Sequence, residues 1–145
     1  VRALLQRVSQ ASVSIAASEV ARIEQGLLVF VAVQPEDSQR DVEKLLHKIL
    51  NYRVFADEQG RMNKSLSDIQ GGLLLVSQFT LAADTRSGLR PGFSTAASPA
   101  QAEALFDQLV TMAQQQHADV QCGQFAADMQ VQLINDGPVT FMLEV

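Results

Sequence analysis

The chain has 145 residues, 47% of them hydrophobic, which is enough for one domain spanning 1–145 that buries its own core. Its 11 Lys and Arg against 16 Asp and Glu leave a formal net charge of −5, which argues against a protein that wraps DNA or any duplex, since such binding is dominated by Lys and Arg contacts to phosphate. No apolar run reaches the roughly 20 residues needed to cross a bilayer, the start lacks the charged and continuously apolar blocks of a signal, and the one cysteine, Cys122, has no partner for an internal disulfide; a soluble, cytoplasmic protein without membrane contact is expected.

Residues 3 to 15 alternate apolar and polar and read as a strand, followed by a short strand at Val20 to Glu24 and a buried one at Leu27 to Val33. Asp37 or Ser38 then caps a helix whose apolar positions Val42, Leu45, Leu46, Ile49 and Leu50 share one face. Asp57 to Gly60 and Gly71-Gly72 are turns, and Leu73 to Leu81 reads as a nearly continuous apolar strand covered on both faces. After a loop with Gly88, Pro91 and Gly92, Ser98-Pro99 and Gln101 form a capping box that opens a second helix, with Ala102, Leu105, Phe106, Leu109, Met112 and Ala113 on its core face. Two alternating strands close the chain, Met129-Val131-Leu133 and Val139-Phe141-Leu143, separated by a turn at Asn135-Asp136-Gly137-Pro138. Strands with two main helices between them predict an α+β fold with an antiparallel or mixed sheet. No glycine-rich dinucleotide fingerprint is present.

The two histidines, His47 and His117, fall at or after helices, where surface or helix-terminus roles are expected. Cys122 has nothing near it in sequence to lower its pKa, and an inert thiol is expected. No cluster has metal-ligand spacing, so neither a metal nor another cofactor is expected. What remains is Ser77-Gln78-Phe79-Thr80 at the end of an apolar strand, where backbone N–H groups can leave the ladder and stabilise a developing oxyanion. Thr80 carries a hydroxyl, but a threonine nucleophile needs an adjacent base or a terminal amine, and neither is visible. Gly137-Pro138 admits two readings, a trans proline ending a turn or a cis bond, which proline alone makes cheap.

Ser77-Gln78-Phe79-Thr80-Leu81 and Asn135-Asp136-Gly137-Pro138-Val139-Thr140, together with Gln6-Arg7-Val8, Phe125-Ala126-Ala127-Asp128-Met129 and the loop from Ala82-Ala83-Asp84-Thr85 to Arg90-Pro91, resemble the D-aminoacyl-tRNA deacylase family along the whole chain. The resemblance implies a barrel-like sheet and a metal-independent ester hydrolase that recycles tRNA by removing D-aminoacyl groups, with glycyl groups mischarged on tRNA-Ala also removed. It implies that Ser77, Gln78, Phe79 and Thr80 line and polarise the catalytic site while the RNA 2′-hydroxyl assists catalysis. It further implies a homodimer with sites near the interface, in which a Gly137-cis-Pro138 turn enters the other subunit's site and excludes L side chains. Arg7 would support that turn, and Phe125 and Met129 would hold the terminal adenosine. The partner is then the 3′ acceptor end of aminoacyl-tRNA, a single strand read by few phosphates and by stacking, with Arg86 and Arg90 placed to help. The alternatives are a threonine-dependent esterase or amidase for small molecules, or a dimer that binds tRNA ends without turnover.

Overall fold

One long strand organises the protein, whose computed structural model describes all 145 residues. β1 (Arg2–Ile15) pairs antiparallel with β3 (Gly26–Ala32) over its first half and with β2 (Ser18–Ile23) over its second. Its other edge is occupied along nearly its whole length by β8 (Gln130–Glu144), also antiparallel. β3 then pairs in parallel with β6 (Gly72–Ser77), and β6 in parallel with β7 (Val120–Cys122). The sheet is therefore mixed, and it curls into a nearly closed, barrel-like form.

The apolar runs of β3 and β6 follow from this topology, because both strands are covered on both faces. Leu27, Val29, Val31, Leu73 and Leu75 face the larger core beneath the helices, whereas Leu28, Leu74 and Val76 face a smaller one inside the curl. β1 serves both: Ala3 and Leu5 face the helices, and Val8, Ala11 and Val13 fill the curl. At the start of the β3–β6 pair, a Cβ on Gly26 would run into the carbonyl of Gly72, so the two backbones approach as only glycine allows.

α1 (Gln39–Asn51) and α3 (Pro99–Gln116) pack on the outer face of the sheet, burying the faces expected from their three-and-four spacing. Ser38, not Asp37, caps α1, and the Asp41 carboxylate accepts from both the Ser38 N–H at 2.9 Å and its hydroxyl at 3.1 Å. Only half of the capping box expected at α3 forms. Ser98 Oγ accepts from Gln101 N at 3.3 Å, but the Gln101 side chain reaches away, donating to the carbonyls of Pro35 at 2.9 Å and Asp37 at 3.3 Å. That detour ties the start of α3 to the loop before α1.

Other expectations need correction. The strand expected over 73–81 ends at Ser77: Gln78 N donates to Val31 O at 2.8 Å, and the chain then tightens into a 3-10 turn at Phe79–Ala82. The turn at 57–60 closes a small hairpin of β4 (Phe55–Ala56) and β5 (Met62–Lys64), and a one-turn α2 (Leu66–Ile69) follows, capped by Ser65. Most consequentially, the two C-terminal strands are one strand, and Asn135 to Pro138 is not a hairpin turn. Both halves pair with β1. Gln6 faces Thr140 and Val8 faces Asn135, so Arg7 alone stands opposite Asp136 to Val139, which bulge out of the ladder.

Candidate active site

Where β6 gives way to the 3-10 turn, the chain opens a cleft of about 750 Å³. Ser77, Gln78 and Phe79 form one wall with Phe93, and the segment from Phe125 to Met129 forms the other. The start of α3, at Ser98 and Pro99, closes one end. The lining is mostly apolar with a few polar groups, the makeup of a pocket for a nucleoside-sized ligand. Asp128 is its only carboxylate.

The turn explains why this wall can do chemistry. The first N–H groups of a 3-10 turn have no partner within it, so the amides at Phe79 and Thr80 are free to donate to a ligand. Leu81 N and Ala83 N, further along, are already committed to the carbonyls of Gln78 and Thr80 at 3.2 Å each. Gln78 Nε2 donates to Thr80 Oγ1 at 2.6 Å, so the threonine hydroxyl is oriented by an amide rather than activated by a base. Thr80 is exposed and stands beside the cleft without lining it. On the opposite wall Ala126 holds φ 63°, a left-handed conformation uncommon for any residue but glycine.

Gly137, Pro138 and Arg7 lie elsewhere. Asp136, Gly137 and Pro138 are exposed on the bulge of β8 and line no part of this chain's own cleft. The Gly137–Pro138 peptide bond is cis, and Gly137 has φ 138°. Arg7 holds the bulge from beneath: its Nε donates to the Asp136 carbonyl at 3.0 Å and its Nη1 to the Val54 carbonyl at 2.7 Å. The base of the bulge is closed by Asn135, whose Oδ1 accepts from Val139 N at 3.0 Å and whose Nδ2 donates to Thr140 Oγ1 at 2.9 Å.

The structure thus gathers Ser77, Gln78, Phe79, Phe125 and Met129 at one cleft, sets Thr80 beside it, and joins Arg7 to Gly137-Pro138 at a second place. Sequence reasoning assigned no role to Asn135 or Phe93, and gave Ser98 only that of opening α3. Asn135 lay within a recognised stretch, whereas nothing local marked Phe93.

The histidines stand apart from both places. His47 is exposed on α1, and His117, buried at the end of α3, donates from Nε2 to the Gly71 carbonyl at 2.6 Å. Burial, and then the charge of Asp107, push the half-buried Cys122 thiol above its usual range. No three His, Cys, Asp or Glu side chains are grouped to hold a metal ion. No helix is long and apolar enough to cross a membrane.

The family profile of D-Tyr-tRNA(Tyr) deacylase matches residues 4–144. D-aminoacyl-tRNA deacylase of Pseudomonas putida strain F1 is 67% identical over 144 residues, covering 99% of each chain. The enzyme of the same name from Stutzerimonas stutzeri is 65% identical over 143 residues with the same coverage. Among solved structures, one named c-Myc DNA unwinding element binding protein superposes with a TM-score of 0.96 at 38% identity, over 100% of this chain and 99% of that one. Another, described as a probable eukaryotic D-amino acid tRNA deacylase, shares the fold with a TM-score of 0.87 at 16% identity, over 99% of this chain and 98% of the other.

Proposed function

The chain belongs to the D-Tyr-tRNA(Tyr) deacylase family, and from that we propose that it hydrolyses the ester joining a D-amino acid to the terminal ribose of tRNA, releasing both. The observation that carries this reading is the cleft itself, with free backbone donors and an oriented amide on one wall and an apolar, aromatic segment on the other. The terminal adenosine sits between Phe125 and Met129. Its ester carbonyl then points at Ser77 to Thr80, where the free N–H groups of Phe79 and Thr80 stabilise the negative oxygen of the tetrahedral intermediate; removing one such donor typically costs about 100- to 1,000-fold in rate.

This site offers Asp128 as its only carboxylate and no histidine, so it suits a substrate that brings its own assistance. The 2′-hydroxyl beside the ester fills that role, activating or delivering the attacking water. Selection against L-amino acids works by exclusion. The exposed Gly137-Pro138 bulge of one copy enters the cleft of a second, where its carbonyls occupy the space an L side chain would need. Glycine has no side chain to exclude, so glycyl esters, including those mischarged on tRNA-Ala, are also cleaved. The working unit is a homodimer acting in the cytoplasm, where aminoacyl-tRNA is found, and the single domain carries all of these parts.

The test is hydrolysis of matched D-tyrosyl-tRNA and L-tyrosyl-tRNA, with sedimentation of the protein run alongside. Rapid loss of the D-ester with the L-ester intact, from a dimer, is the expected result. Cleavage of neither ester above the buffer rate would overturn the reading.

A further inference from the structure

Beyond Phe125 and Met129 the cleft has an aromatic rim. Phe79 and Phe93 both line it, yet 54% and 44% of their surfaces remain exposed. Their rings are tilted against each other with centroids 5.1 Å apart. Exposed aromatic faces of this size are costly in water unless something covers them in use.

Beside them stands a loop built to present charge. Asp84 and Gly92 exchange backbone hydrogen bonds at 2.7 and 2.9 Å, closing a neck beyond which Arg86, Leu89 and Arg90 are exposed. Asp84 Oδ1 also accepts from Arg86 N at 2.9 Å, fixing the start of the loop. Neither guanidinium takes part in any of the ion pairs of the protein. An acidic chain therefore keeps two unpaired arginines next to an uncovered aromatic pair.

Resting on the reading that the substrate is the 3′ end of tRNA, we propose that Phe79 and Phe93 form a stacking platform for the unpaired nucleotide preceding the terminal adenosine, with Arg86 and Arg90 against its phosphates. A cleft of about 750 Å³ holds one aminoacyl nucleoside, so the preceding nucleotide must leave across this rim. Stacking on aromatic side chains together with cationic contacts to the backbone is how single strands are held. The platform explains how an acidic protein grips RNA with few phosphates.

Hydrolysis of D-tyrosyl-tRNA and of D-tyrosyl-adenosine, the same ester without the preceding nucleotides, separates the two subsites. Phe93→Ala should lower kcat/KM on the tRNA by roughly 5- to 100-fold, chiefly through KM, and lower it on the adenosine ester by a clearly smaller factor. Phe93→Trp should restore the tRNA rate. Equal losses on both esters, or no loss on either, would overturn the platform while leaving the deacylase reading in place. A wild-type protein inactive on both would remove the deacylase reading and the platform with it.

Discussion

Arg7 and Asp136 are joined across a break in register in the longest pairing of the fold. The guanidinium donates to the Asp136 carbonyl at 3.0 Å, and its other arm is anchored on the carbonyl of buried Val54 at 2.7 Å. The bulge is thus braced against the body of the protein, not left as a free loop.

Removing the brace should cost both stability and selectivity. Hydrogen bonds from a charged donor contribute about 1.5–3 kcal/mol, and Arg7→Ala would also leave the Val54 carbonyl unpaired. We expect destabilisation of about 2 kcal/mol in denaturant unfolding, with a measurable rise in L-tyrosyl-tRNA cleavage. Arg7→Lys gathers its donors at one atom instead of spreading them over a planar fork, and should recover only part of either property.

Gly137 is the second point of control. A Cβ there would lie 2.6 Å from Val139 Cγ2 and 3.0 Å from Val139 N, and φ 138° is a conformation that L side chains rarely adopt. Gly137→Ala should therefore reshape the bulge at a cost of about 1–3 kcal/mol. The readout is the ratio of D- to L-ester cleavage, which should fall more than the rate on the D-ester.

Thr80 should prove dispensable for the chemical step. Because its hydroxyl is bonded to Gln78 and not to a base, Thr80→Ala is expected to keep deacylation within about tenfold of the wild type, whereas a 2′-deoxy terminal adenosine should nearly abolish it. A dead Thr80→Ala variant that leaves the deoxy substrate fully reactive in the wild type would make the threonine the nucleophile.

Two capping carboxylates predict an acid limb of stability. Hydrogen bonds from the backbone and then the side chain of Ser38 hold Asp41 below the usual aspartate range, and Ser65 does the same for Asp68. Both values are lower in the folded state, so the contribution is complete above the ordinary value of 3.8 and is lost as pH falls through the folded values. Asp68→Ala should lower Tm at pH 7, and the gap from the wild type should close steadily below pH 3.8.

Cys122 should resist alkylation at neutral pH. Burial first, and the Asp107 carboxylate second, disfavour its thiolate. Its reaction with iodoacetamide should be slower than that of free cysteine at pH 8, and Asp107→Asn should speed it without altering deacylation.

Much of this was legible because local pattern and tertiary role agreed. The apolar faces of α1 and α3 follow from periodicity, the proline-opened start at Ser98 from capping chemistry, and the doubly covered runs of β3 and β6 from continuous apolar sequence. The turn expected near the C-terminus does not form: Asn-Asp-Gly-Pro satisfies every local rule for a turn, whereas pairing with β1 on both sides of it is a long-range fact. For the same reason the strand through Ser77 is shorter than the apolar run predicts: Phe79 and Leu81 suit a strand, but the ladder ends where Gln78 makes its bond to Val31. Phe93 gave no signal at all, since a single aromatic in a loop has no period to read. The joining of Arg7 to Asp136, far apart in sequence, shows only once the strands are paired.

β8 has a neighbour on only one side, and at 15 residues it would present a long free edge to any other chain. Such an edge is a template for runaway strand addition. By breaking the ladder between Asn135 and Thr140, the bulge divides that edge into two shorter pieces set out of line with each other. The same short stretch to which we assign the chiral filter thus also interrupts the edge, and deleting it to straighten the strand would be expected to make the protein aggregate.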